Sequence, residues 1–425
     1  MPGPETMARD ALTQCHACGL LQRNPPLPVG GAARCTRCGT TLHRNRPDSL
    51  DRTLALAIAG IVLFVIANSF PFLSFQMQGQ TTETTLASGV KDLFASGMWE
   101  LAAVVLFTSI LAPGIQLTLL LVVLIPLKVG RLPPGFATLF RYVRTLTPWG
   151  MMDVFMLGIL VSVVKLSDMA TIIPGISLFA FGVLIFVLAA AQNSLDPDIV
   201  WSRVPVMAGL RLNPQAGERV LSCPVCELVI PGSSVPRHGG KAYCPRCNDP
   251  LHGRKPDSIQ RTWALLIAAV VCYVPANTLP IMRVTSLGQT QSDTIFSGVL
   301  FLLNHGMWPL ALVVFVASVF VPLLKLVILV FLVISVQRRS VWRLRDRTRL
   351  YRITEAIGRW SMVDIYVVTI LVALVRLGNL ATIEAASGAV FFAAVVILTM
   401  FAAMSFDPRL MWDVLERKDG RNGKR

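Results

Sequence analysis

The chain has 425 residues, of which 54% are hydrophobic and only 15% charged, and its formal net charge is +15. Soluble domains carry about 25% charged and about 45–50% apolar residues, so an ordinary soluble enzyme is excluded, and the apolar content excludes a disordered chain. Nine cysteines in this length are too sparse for a disulfide scaffold, which leaves a polytopic membrane protein whose basic residues lie outside its apolar runs.

In chain order, the first 50 residues are polar and hold no apolar run, so no secretion signal is expected and the N-terminus is placed in the cytoplasm. They carry two Cys-x2-Cys pairs, Cys15 with Cys18 and Cys35 with Cys38. Apolar segments follow at roughly 54–75, 99–127, 152–166 and 176–192. A second polar stretch then brings Cys223 with Cys226 and Cys244 with Cys247, followed by apolar segments at roughly 263–281, 307–336, 361–377 and 387–404. A span needs about 20 residues of helix, so eight transmembrane helices are predicted. The second segment of each half is longer and contains Pro113 or Pro322, each expected to kink its helix.

The chain is one unit written twice. Leu42 to Ser49 matches Leu251 to Ser258, and Arg52-Thr53 matches Arg261-Thr262. Ala67-Asn68, Gly97-Met98-Trp99, Pro113 and Asp153 recur as Ala276-Asn277, Gly306-Met307-Trp308, Pro322 and Asp364. Ser194 to Pro197 recurs as Ser405 to Pro408, and the offset drifts only from 208 to 211. The organisation read from this is a ribbon (1–50), a four-helix block (51–195), a linker with a second ribbon (196–257), a second four-helix block (258–405) and a basic tail (406–425). The fold class is thus an all-α polytopic membrane protein, a tandem repeat of a zinc ribbon plus four helices. Of the 39 Lys and Arg, 34 fall in the segments that eight spans would put on one side. By the positive-inside rule that side is the cytoplasm, with both termini and both ribbons, and the repeat is parallel. Loops 76–98 and 282–306 fall on the opposite face, each ending in an amphipathic piece that runs to Trp99 or Trp308, read as anchors at the headgroup level.

Eight cysteines form two sets with 16 and 17 residues between their pairs, a spacing that matches four-thiolate zinc sites. Two residues between thiolates let one tight turn aim both sulfurs at one ion, and a second turn completes a tetrahedron. The predicted ligands are Cys15, Cys18, Cys35 and Cys38 for one ion, and Cys223, Cys226, Cys244 and Cys247 for the other; four sulfurs suit iron as well as zinc. A thioredoxin-like redox role lacks its βαβ context, and a cytoplasmic setting disfavours disulfides. With four thiolates at hand, His43 and His252 read as ordinary polar residues, His16 points elsewhere, and Cys272 reads as a small apolar residue in a helix. The ribbon segments hold nearly as many acids as bases, which argues against nucleic-acid binding.

Ionisable groups inside a membrane face a bundle interior or a cavity and mark function. Lys325 is eleven residues from the end of its segment, about 16 Å at 1.5 Å per residue, too far to snorkel completely. Ser318 shares its helix face; Ser361 and Asp364 open the next helix, and Thr399 lies in the last. These five are the predicted transport or lipid-handling residues, with Asp364 as the expected partner of Lys325. In the first half Asp153 matches Asp364 but Gln116 replaces Lys325, so both are secondary candidates, as are Lys165 and Asp168, three apart at a helix end. A purely structural pin between two helices is the competing reading of Lys325 and Asp364. No Walker A, HExxH or GxSxG pattern is present, and no catalytic residue is assigned.

The tandem four-cysteine ribbon and four helices, the Arg/Lys-Pro-Asp-Ser and Arg-Thr motifs, and the Ala-Asn, Gly-Met-Trp and Ser-x-Asp-Pro motifs together resemble the paraquat-inducible protein A family, over nearly the whole chain. That family includes the lipophilic envelope-spanning tunnel protein A branch. The resemblance implies an inner-membrane subunit of a Gram-negative intermembrane lipid transport system. It also implies a periplasmic MCE-domain tunnel partner, phospholipid as cargo, and a role in outer-membrane integrity. It places the cluster of Ser318, Lys325, Ser361, Asp364 and Thr399 where lipid or protons are handled. Two other readings compete: an ion-coupled transporter of a small solute with Lys325 and Asp364 as a proton relay, and a passive scaffold with metal- or redox-sensing ribbons.

Overall fold

The structure, a computed structural model, describes residues 12–24, 27–77, 80–132, 135–166, 171–207, 209–212, 214–215, 218, 220–286, 289–304, 306–358, 362–374 and 381–415. The first ribbon is two hairpins, β1 (Leu12–Gln14) with β2 (Leu21–Arg23) and β3 (Ala32–Arg34) with β4 (Thr41–Arg44). Then come α1 (Ser49–Ser69), the hairpin β5 (Leu73–Met77) and β6 (Gln80–Thr84), and the short α2 (Leu86–Ala95). One long helix follows, made of α3 (Trp99–Leu106), a π turn (Phe107–Leu111) and α4 (Ala112–Lys128). The first half closes with α5 (Phe136–Leu146), α6 (Met152–Leu166), β7 (Thr171–Pro174), α7 (Ile176–Ser194) and α8 (Pro197–Ser202).

The second half repeats the plan. Its ribbon pairs β8 (Val220–Ser222) with β9 (Val229–Pro231), and β10 (Arg237–His238) with β11 (Lys241–Tyr243) and β12 (Pro250–Leu251). After it run α9 (Ser258–Thr278), β13 (Met282–Ser286), β14 (Gln289–Asp293) and α10 (Ile295–Asn304). The long helix is α11 (Trp308–Phe315), a π turn (Val316–Phe320) and α12 (Val321–Gln337). Last are α13 (Leu344–Ile357), α14 (Val363–Leu374), β15 (Ala381–Ala385) and α15 (Ser387–Ser405).

Among the described residues seven helices are long and apolar enough to cross a membrane, so this is a helical, multi-pass membrane protein. The third runs Phe136–Val164, wider than the segment read from the sequence, because α5 leads into α6 through a turn at Thr147–Trp149. The seventh predicted span, 361–377, is represented by the 12 residues of α14, and residues 375–380 beyond it lie outside the described residues. Short sheets cap both ends of the helices in a mostly helical, tandem architecture.

The repeated motifs turn out to be joints. Asp48 and Asp257 take left-handed backbone angles (φ 49° and 50°) that turn each ribbon into its first helix. The next residue of each motif, Ser49 or Ser258, donates its hydroxyl to the carbonyl of Ser194 or Ser405. The same hydroxyl accepts the N–H of Asp196 or Asp407. Two motifs some 150 residues apart thus lock the start of the first helix to the end of the fourth. In Gly-Met-Trp, Gly97 and Gly306 have φ of 82° and 75°, and Met98 and Met307 N–H reach back to Leu93 and Leu302. This glycine-dependent cap ends α2 and α10, so the amphipathic pieces stop short of Trp99 and Trp308, which instead open the long helices.

Two expectations change at this level. Proline has no N–H for the carbonyl four residues back, here Ser109 or Ser318. Rather than a bare kink, each helix forms a π turn just before Pro113 or Pro322, in which Ala112 N–H donates to Phe107 and Val321 N–H to Val316. The loops at the far end are also more ordered than a simple amphipathic helix: the hairpins β5–β6 and β13–β14 each recruit a third strand, β7 or β15, from the short loop.

The ribbons cross over. The four cysteines of the first ribbon are buried together with Leu266, Leu344, Tyr351, Phe406 and Trp412 of the second half. The Arg37 guanidinium lies 4.8 Å from the Trp412 ring centre, and Arg345 Nε donates to Arg37 O at 2.8 Å. Reciprocally, the second ribbon's cysteines are buried with Phe136, Phe140, Val200 and Trp201 of the first half, and Arg141 pairs with Asp249 at 3.0 Å. Between the halves α6 packs on α14. A side chain at Gly158 would place its Cβ 2.8 Å from the Tyr366 Cβ, so the approach needs glycine.

Candidate metal centres and an intramembrane polar site

Each Cys-x2-Cys sits in a knuckle whose following residue has positive φ: Gly19 (77°), Gly39 (74°), Glu227 (58°) and Asn248 (56°). That turn bonds the N–H of this residue to the first cysteine's carbonyl, at 2.8 to 3.0 Å, and points both sulfurs one way. Across the pairs, Sγ atoms lie 3.6 Å (Cys15–Cys38), 3.5 Å (Cys18–Cys35), 3.3 Å (Cys223–Cys247) and 3.5 Å (Cys226–Cys244) apart. A thiolate tetrahedron with bonds of about 2.3 Å to zinc has edges of about 3.8 Å, so both sets fit one metal ion each. All eight are buried. Without a cation the thiols oppose one another: a hydrogen bond from Cys18 lowers the pKa of Cys15, and the same bond raises that of Cys18. A divalent ion removes this conflict by letting all four ionise.

In the second half Lys325, 2% exposed, lies on α12 in the interior of its span. Its Nζ donates to Thr399 Oγ1 at 3.0 Å and to the Gly358 carbonyl at 3.4 Å. Gly358 is bare enough for this approach; a Cβ there would stand 3.2 Å from Nζ. Ser318, fully buried in the π turn, donates its hydroxyl to Val314 O at 2.6 Å. The neighbouring π-turn carbonyl, Val319 O, accepts from Tyr273 at 3.3 Å.

Of the five predicted residues, the structure joins Lys325 directly to Thr399 and keeps Ser318 on the same long helix. Ser361 and the side chain of Asp364 lie outside the described residues, as do Asp168 and the side chain of Lys165. Gln116 is buried and reaches Thr147 Oγ1 at 3.4 Å; Thr147 occupies the place of Gly358, so the two halves use the same spot with different chemistry. Leu188 stands where Thr399 does, which leaves the first half without the ammonium's hydroxyl partner. Asp153, in the first turn of α6, is exposed. Sequence reading missed Gly358, whose role is a backbone carbonyl. It also missed the bond from Tyr366 to Thr108 Oγ1 at 2.7 Å, which crosses between the halves.

The family model described as Paraquat-inducible protein A matches twice, over residues 50–205 and 259–416. The chain belongs to the paraquat-inducible protein A family. Among curated relatives, the Intermembrane transport protein PqiA of Escherichia coli K12 is 35% identical over 408 residues, covering 94% of this chain and 95% of its own length. The Lipophilic envelope-spanning tunnel protein A of the same strain is 30% identical over 419 residues, covering 98% and 95%. A Probable intermembrane transport protein of Haemophilus influenzae is 29% identical over 412 residues, covering 96% of each. No solved structure matches. The two matches of the family model fall on the two four-helix blocks, so the family's unit is present in both halves.

Proposed function

We propose that this chain is an inner-membrane subunit of an intermembrane lipid transport system, passing phospholipid to or from a periplasmic MCE-domain tunnel protein. The observation that carries it is the buried Lys325 ammonium, held inside a membrane span by two neutral acceptors. Ionisable groups so placed mark transport pathways, and a primary amine is a natural counter-ion for a lipid phosphate. Curated relatives named for intermembrane transport and for an envelope-spanning tunnel support the setting. In this reading the ribbons face the cytoplasm and the three-stranded sheets face the periplasm, where the tunnel protein docks. The polar site consists of Ser318, Lys325, Ser361, Asp364 and Thr399, and the ribbons hold zinc.

Affinity purification from native membranes, with mass spectrometry of bound protein and lipid, tests the proposal. Recovery of an MCE-domain protein together with phospholipid is expected, with the phospholipid reduced in Lys325→Met. Purification of the wild type free of both would refute it.

A further inference from the structure

Three metal-ligating side chains meet outside both thiolate sets. His43 lies on β4, past the fourth cysteine of the first ribbon, whereas Asp196 and Asp198 lie at the α7–α8 corner of the same half. One ligand atom from each lies within 4.8 Å of the others, and His43 Nδ1 touches the Asp198 carboxylate. Asp196 is 3% exposed. Its Oδ1 accepts the Asp198 N–H at 3.0 Å; the nearby Arg46 attracts it electrostatically but directs its guanidinium to the carbonyls of Gln192 and Leu195, and among the described residues no Lys or Arg side chain is hydrogen-bonded to it.

The second half shows what the fold puts at this place. Asp407 corresponds to Asp196, with nearly identical backbone angles (φ −102°, ψ 107° against φ −103°, ψ 107°). Arg409 corresponds to Asp198, and its N–H caps Asp407 Oδ1 at the same 3.0 Å. Its guanidinium then grips both oxygens of Asp407, Nε to Oδ1 and Nη2 to Oδ2, each at 3.0 Å. One half therefore carries its own cation; the other replaces that cation with a second carboxylate and turns an imidazole toward it.

We propose that His43, Asp196 and Asp198 bind a divalent first-row transition-metal ion, a third metal site distinct from the two ribbons. An imidazole with two carboxylates suits zinc, manganese or cobalt. Three protein ligands leave positions for water, and the side chain of Asp198, 48% exposed, lies at the solvent side. The ion ties the first ribbon to its own helices, while the ribbon's core is docked on the opposite half. His43, read from the sequence as an ordinary polar residue, is then a ligand.

The full chain, purified in detergent, is loaded with excess zinc, passed through gel filtration and analysed for bound metal. The wild type is expected to hold three equivalents, one per ligand cluster. Asp198→Arg, which writes in the second half's internal cation, is expected to hold two with an unchanged melting temperature, and His43→Gln also two. In a cobalt titration, the sulfur-to-cobalt charge-transfer band should saturate at two equivalents while a third adds only weak visible absorption. Failure of the ribbon sites would show as missing sulfur bands, which separates it from failure of the third site. Wild-type protein that saturates at two equivalents would overturn the proposal, as would a third equivalent retained in Asp198→Arg. If that variant does not fold, Asp198→Asn makes the same comparison.

Discussion

Among the described residues Lys325 directs its hydrogen bonds to one hydroxyl and one carbonyl, both neutral. Breaking a buried ion pair by removing one partner is destabilising by about 3–5 kcal/mol, whereas replacing the whole pair with packed apolar groups is often neutral. On the sequence expectation that Asp364 pairs with Lys325, Lys325→Met combined with Asp364→Leu is expected to keep the melting temperature of the wild type but to lose lipid transfer in reconstituted membranes. Retained transfer would favour a helix pin. Thr399→Val removes one acceptor and is expected to destabilise by about 1–3 kcal/mol, read by thermal unfolding, whereas Gln116→Ala in the first half should be milder in transfer. At the ribbon end, burial opposes ionisation of Asp407, but Arg409 outweighs it and holds this carboxyl below the usual range. A depressed folded pKa stabilises at pH above the unfolded value of about 3.9 and the benefit is lost as pH falls through the folded value. Acidification below about pH 4 should therefore raise hydrogen exchange around Asp407 to Trp412, and Arg409→Gln should move that onset to higher pH.

The long helices show how an element can absorb a proline. Each π turn inserts extra backbone between the sheet end and the ribbon end, and it sets the azimuth of everything after it, Lys325 included. Pro322→Ala restores the missing N–H and is expected to favour an α-helical path, turning Lys325 by up to about 100°, one residue of helix. Reduced transfer at normal expression, with altered labelling of cysteines placed along α12, checks this. The apolar runs, Pro322, the knuckles and the lysine itself were legible in the sequence because each depends on local composition or spacing. The strands β7 and β15 were not: Thr171–Pro174 and Ala381–Ala385 are short, and only pairing with β5 and β13 makes them strands. Gly358 was equally silent, since its contribution is a carbonyl and an absent methyl group. The joint of Ser49 with Asp196 appeared only as two unconnected motifs, because a repeat reports that residues recur and not that they touch.

Across the molecule, each ribbon rests on the other half's helices, which nothing within a ribbon's own cysteine spacing could announce. Because metal binding and folding of such small heads are coupled, Cys15→Ser with Cys18→Ser should remove one metal equivalent. The loss of protection should appear in α13 and the end of α15 in the second half. Cys223→Ser with Cys226→Ser should instead expose α5 and Trp201. Hydrogen exchange resolved by peptide checks both, and protection lost only within the mutated ribbon's own half would contradict the crossed packing. Labelling of a cysteine introduced at Thr290, but not at Arg345, from outside intact spheroplasts is the expected result for ribbons facing the cytoplasm.

The crossed ribbons also bear on how such a chain came to be. A single unit of one ribbon and four helices, cut from its twin, would leave the ribbon without a floor and the helices without a roof. Both deficits are met when two copies exchange ribbons about a two-fold axis, since whatever one copy offers the other needs. The crossed packing is the arrangement that a swapped homodimer of such units would have, with the reciprocal exchange made permanent by joining the two units in a single chain. Once the two copies are encoded separately, one can acquire a lysine where the other has a glutamine, as at Lys325 and Gln116.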